Sequence, residues 1–206
     1  MVRSTDGSER PRQAVHHRHS LRRQAGPRQP STGGHPDRGR GRGLSKVCRF
    51  GAQAREYYSV AQHALLVRWL VAEAGHPELA LAALHHDSHE AYLCDIPSPL
   101  KRKIRKATNV YHETCNTLDR VIADAFGLEW PDQDSPEQRA IKNADNQALL
   151  METARLLPDG GKALLQDKGL GAEVFAELAR LEEILPPAEA EARFLEVHKE
   201  LIPRPM

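Results

Sequence analysis

The chain has 206 residues, of which 40% are hydrophobic, 5% aromatic and 28% charged, with a formal net charge of +1. That length allows one domain with a substantial core, and the scarcity of aromatic and β-branched residues beside abundant Ala and Leu favours packed helices over a sheet. No stretch approaches 18 consecutive apolar residues, which argues against a membrane-spanning helix.

Residues 1–43 contain ten arginines and no lysine against Asp6, Glu9 and Asp37, a net charge of +7 that leaves −6 on the remainder. Apart from Met1, their large apolar side chains are Val2, Val15 and Leu21. Such a segment buries too little surface to offset its ordering entropy, so 1–43 is predicted to be a disordered Arg/Pro/Gly-rich extension. Three readings of it stand side by side: a sequence artefact such as a shifted frame, a plain disordered tail, and an RNA-contacting arm. Nucleic acid is not the expected partner of the domain itself, which is assigned to 44–206.

From Leu44 the texture changes. Ser59 can cap a helix reaching about Ala74, with Val60, Ala64, Val67 and Val71 at helical spacing. Gly75-His76-Pro77 ends it. A second, strongly apolar helix is predicted over 78–93, then a turn at Asp95-Ile96-Pro97-Ser98-Pro99 and a long helix over about 102–126. Gly127 to Pro131 breaks that helix. Ser135-Pro136-Glu137 opens another that reaches about Leu157, and helices near 171–184 and 187–201 complete an all-α bundle.

The chemistry concentrates in Leu84-His85-His86-Asp87-Ser88-His89-Glu90 and the following Asp95. A His beside an Asp within an apolar helix is costly to bury unless something pairs with it, and a divalent metal is one such partner. His63 and Asp145 each lie in apolar runs of other helices, so three helices offer ligand-type residues to one interior point, as bundles do when they build metal sites. Imidazole and carboxylate together suit one divalent transition metal, Zn, Mn, Co or Fe, better than Ca or Mg.

The order His63, His86-Asp87, Asp145 resembles the H…HD…D signature of the HD-domain superfamily of metal-dependent phosphohydrolases. Arg49-Phe50-Gly51, Tyr58-Ser59-Val60-Ala61-Gln62-His63 and the run from His86 to Lys101 extend the resemblance. They match it to the branch of bacterial 5′-deoxynucleotidases and phage-type deoxynucleoside triphosphohydrolases. The resemblance implies an HD helical bundle over residues 44–200 that hydrolyses a mono- or triphosphate ester of a (deoxy)nucleotide, its small-molecule partner. It implies that His63, His86, Asp87 and Asp145 hold the metal. Glu90, three residues after Asp87 and so on the same helix face, would orient or deprotonate the attacking water. Asp95 would be the general acid or a contact to the sugar hydroxyl. Arg49 and Lys101 would neutralise phosphate charge. One departure is evident: that branch carries an ordered, partly apolar segment before Arg-Phe-Gly, and its replacement here predicts an incomplete pocket wall.

Rival readings accompany these. His85 and His89, at i and i+4, could themselves bind zinc, but His85 is assigned to the core and His89 to the pocket border. Trp69 and Tyr92 could stack on a base but are assigned to core packing, and the run from Lys101 to Lys106 has a rival reading as a solvated helix face. The second functional class is a non-catalytic metal or nucleotide sensor with an Arg-rich nucleic-acid arm. A homodimer is compatible with the composition, though no apolar stripe specifies one. Widely spaced Cys48, Cys94 and Cys115, with no CxxC pair and no apolar leader, make the cytoplasm the expected location.

Overall fold

Ser59 sits in extended backbone at the head of α2 (Val60–Glu73), and its hydroxyl accepts the Gln62 N–H at 3.2 Å, as an N-cap does. The computed structural model describes residues 36–162 and 183–202, and among these α2 is the central element. Val60, Ala61, Ala64, Val67, Leu70 and Val71 are buried on it. Toward the C-terminal end of α2, Val67, Leu70 and Val71 pack with Leu79, Ala82, Ala83, Ile141, Ala144 and Ala148. Toward its start, Val60, Ala61 and Ala64 pack with Leu44, Leu84, Ala190, Phe194 and Val197. These two clusters leave His63 on α2, with none of its surface exposed, as a polar group inside an apolar core.

The all-α expectation holds, since no strand occurs among the described residues, and no helix among them is long and apolar enough to cross a membrane. Several boundaries move. Helix α1 (Pro36–Leu44) lies almost wholly inside the stretch assigned to disorder. Its Gly, Pro and Arg content gives little intrinsic helicity, so tertiary contact supplies the order. A Cβ on Gly41 would meet Leu195 at 3.1 Å, and one on Gly43 would meet Ala91 at 3.0 Å. The glycines thus let α1 approach closely, with Leu44 buried at its end. Residues 1–35 lie outside the described residues.

The single helix expected over 78–93 is instead α3 (Ala80–His85), a turn at 86–89 and α4 (Glu90–Leu93). The His86 ring ends α3 by donating from Nδ1 to the Ala83 carbonyl at 2.8 Å. Ser88, Glu90 and Ala91 then take carbonyls three residues back, the tighter pattern common at helix ends. The long helix expected over 102–126 is also two, α5 (Ser98–Ala107) and α6 (Val110–Phe126), separated at extended Thr108. Pro99 stands in the first turn of α5, where a missing N–H costs nothing. Gly127 ends α6 in the left-handed conformation. Helix α7 (Pro136–Leu156) starts as predicted, with the Ser135 hydroxyl accepting the Gln138 N–H at 3.0 Å. The last described helix, α8 (Pro187–Leu201), matches its predicted span, whereas the helix expected near 171–184 lies mostly outside the described residues.

Candidate metal centre

Helix α2 brings His63, the α3–α4 turn brings His86 and Asp87, and α7 brings Asp145 to one point. One donor atom from each lies within 4.8 Å of the others, forming a His/Asp group that could hold a metal ion. His63 Nε2 is 3.3 Å from His86 Nε2, 3.3 Å from Asp145 Oδ1 and 3.6 Å from Asp87 Oδ2. His86 Nε2 lies 3.2 Å from Asp87 Oδ2 and 3.8 Å from Asp145 Oδ1. Donors bound at about 2.0–2.2 Å from one ion stand roughly 3–3.5 Å apart, so the separations of 3.2 to 3.8 Å approach those of a coordination shell.

The second nitrogen of each imidazole is tied off, which fixes which one is free to bind. His63 Nδ1 donates to Glu152 Oε1 at 2.7 Å, and His86 Nδ1 donates to the Ala83 carbonyl. Burial opposes a charge on His86, but Asp87 and Asp145 outweigh it and push its pKa up to about 9. Burial and Arg49 likewise oppose a charge on His63, yet Glu152, Asp145 and Asp87 raise its pKa well above that of ordinary histidine. Burial raises Asp145, and the two imidazoles more than reverse this and hold it far below the usual carboxylate range. Without a metal, protons on the imidazoles supply the cationic charge that this donor set demands.

Glu152 escaped the sequence reading. It stands seven residues, two helical turns, after Asp145 on α7 and therefore on the same face. That spacing within the apolar run Leu149-Leu150-Met151 was the available signal. The side chain is fully buried and divides its oxygens between His63 and Arg49 Nε, the latter at 3.0 Å.

Arg49 is buried at the start of a short 3-10 turn (Arg49–Ala52) in which Phe50, Gly51 and Ala52 all take positive φ. Asp95 accepts the Phe50 N–H at 3.3 Å and lies 3.8 Å from Arg49 NH1. Glu90 has none of its surface exposed. Its Oε1 accepts from Lys101 Nζ at 2.6 Å, while its Oε2 is buried with no hydrogen-bond partner among the described residues. Burial, reinforced by Asp87 and Asp95 and opposed by Lys101, pushes Glu90 up to about 7. Asp87 and Glu90 do not share a regular helix face as expected, because Asp87 lies in the turn before α4.

His85 packs in the core as assigned, bonded to Ser88 Oγ and to His198 Nδ1, each at 2.9 Å. His89 is buried beside the site, and its Nδ1 meets Asp119 Oδ1 at 2.9 Å. Trp69 and Tyr92 are not core residues. They are 47% and 61% exposed, because Val67, Leu70 and Val71 take the inner face of α2, and Glu90 that of α4. Arg102, Lys103, Arg105 and Lys106 are exposed, as a solvated face requires.

No family model matches the chain. It is 36% identical over 159 residues to the uncharacterized protein YfdR of Escherichia coli K12, a match spanning 77% of this chain and 79% of YfdR. An uncharacterized protein of Rhodobacter capsulatus is 38% identical over 120 residues, which spans 55% of this chain and 59% of that relative.

Proposed function

The chain belongs to the family of Escherichia coli YfdR, and we propose that it is a metal-dependent phosphohydrolase of the HD type that cleaves a phosphoester of a (deoxy)nucleotide. The observation that carries this reading is the meeting of His63, His86, Asp87 and Asp145 beside the buried carboxylate of Glu90 and two cations, Arg49 and Lys101. A divalent transition metal, when bound by those four side chains, supplies positive charge to a phosphoryl oxygen and lowers the pKa of water.

Glu90 Oε2 is buried and has no hydrogen-bond partner among the described residues, so it is free to orient a water and take its proton. A pKa near 7 suits a group that must accept and release protons at neutral pH. Lys101, by holding Oε1, fixes the carboxylate and presents its remaining N–H groups to a phosphate. Arg49 is held by Glu152 at Nε, which leaves guanidinium donors for a phosphate oxygen. Asp95 lies within reach of the Arg49 loop and would protonate the leaving oxygen or bind a sugar hydroxyl.

Electrostatics supports a metal requirement. Asp87, Asp95, Asp145 and Glu152 call for positive charge beside Arg49 and Lys101, and a bound metal would take the place of the protons that His63 and His86 otherwise carry. The test is release of phosphate or triphosphate from a panel of deoxy- and ribonucleotides with Mn, Co or Zn, wild type against Asp87→Ala. Metal-dependent release abolished by the substitution is the expected result. Tight metal binding with no release from any nucleotide would transfer the reading to a sensor.

A further inference from the structure

We infer that the chain holds a second divalent cation beside the first, on Asp87, His89 and Glu90. Donor atoms of these three residues lie within 4.8 Å of one another, and Asp87 belongs to both groups. Asp87 Oδ2 lies 3.6 Å from His63 Nε2 and 3.2 Å from His86 Nε2, and the same carboxylate would serve the second ion. The inference rests on the metal reading of the four-residue group through this shared carboxylate.

His89 repeats the device seen at His63. A buried imidazole has its Nδ1 engaged by a carboxylate, Asp119 Oδ1 at 2.9 Å for His89 and Glu152 Oε1 at 2.7 Å for His63. Such a partner fixes the tautomer and leaves the other ring nitrogen to ligate. Glu90 supplies the independent observation. Its side chain is fully buried and its Oε2 has no partner among the described residues, a costly arrangement unless something cationic or donating is received there. Lys101 neutralises the other oxygen without reaching this one.

The donor set differs from that of the first group. Two carboxylates and one imidazole are harder than two and two, so the second position suits manganese or magnesium better than zinc. Glu90 Oε2 would then act on the water through the second ion, holding the cation that lowers the pKa of the water the carboxylate is assigned to orient. Paired cations sharing a carboxylate clamp the oxygens of a phosphate, the ligand class to which this site would be matched.

The test uses the full chain, stripped with chelator and equilibrated with Mn2+ at pH 8, with manganese counted per chain and its EPR spectrum recorded. Two ions per wild-type chain with a spin-coupled spectrum are expected. His89→Ala should reduce this to one uncoupled ion, and Asp119→Asn should weaken the second ion about 10–100-fold while circular dichroism stays unchanged. One manganese per wild-type chain, unaltered by either substitution, would overturn the inference and leave the first metal group standing. No manganese, zinc or cobalt at all would overturn both.

Discussion

The two sides of the candidate metal centre are built differently. His63, Asp145 and Glu152 stand on α2 and α7, long helices opened by Ser59 and Ser135 caps and packed through Val67, Val71, Ala144 and Ala148. His86, Asp87, Glu90, Asp95 and Lys101 stand on a segmented stretch of two short helices, turns and the start of α5. His63 and Glu152 on the first side are each engaged through two atoms. The second side keeps an unpartnered carboxylate oxygen on Glu90 and a strained residue at Cys94. Two of the four donors, His63 and Asp145, are thus set by long packed helices, whereas His86, Asp87 and the groups assigned to proton handling sit where the backbone departs from regular structure, as strained elements at functional sites commonly do.

The largest effect that would break this contrast is on the rigid side. Glu152→Ala strands buried Arg49 and pulls the support from His63, so the unfolding free energy from denaturant titration should fall by about 3–5 kcal/mol. Glu152→Gln, which keeps a hydrogen-bonding side chain, should cost less.

Protons and metal compete at the imidazoles, which gives the next effect. Because the folded pKa of His86 is raised to about 9, metal must displace a proton at neutral pH. Apparent affinity, measured by competition with a chelating dye, should rise about tenfold per pH unit from pH 7 to 9 for each proton displaced. The same shift acts on the metal-free chain. Its folded pKa exceeds the value of about 6.5 in the unfolded chain, so this contribution to stability is complete below pH 6.5 and is lost as pH rises through about 9. Melting temperature should therefore decline over that window without metal and change less with it.

Two smaller effects sharpen the comparison. Ser135→Ala should destabilise by about 1 kcal/mol through loss of the α7 cap. Cys94→Gly should do the opposite, by about 1 kcal/mol, because Cys94 at φ 63° and ψ 162° occupies a region suited to glycine. Both are read from thermal or chemical unfolding.

The rigid side was the more legible in the sequence. Ser59 and Ser135 announced their helices, and apolar spacing on α2 singled out His63 as an inward polar residue. The order of histidines and aspartates assembled the donor set. Glu152 was missed because a glutamate in a helical run resembles a solvated residue until its i+7 relation to Asp145 is considered. The segmented side is less regular than its apolar pattern suggests. The run Ala80–Leu84 has helical texture, but the His86 ring takes the Ala83 carbonyl and closes α3 early. Ordered α1 was illegible because contact with Leu195 and Ala91, not propensity, holds its glycine-rich backbone.

The most direct test of the central claim is metal content. The full chain, incubated at pH 8 with Zn, Mn or Co and then desalted, should retain at least one tightly held ion. Asp145→Ala should lose it while keeping a wild-type helical circular dichroism spectrum. A folded wild-type chain that retains none of these metals would contradict the account.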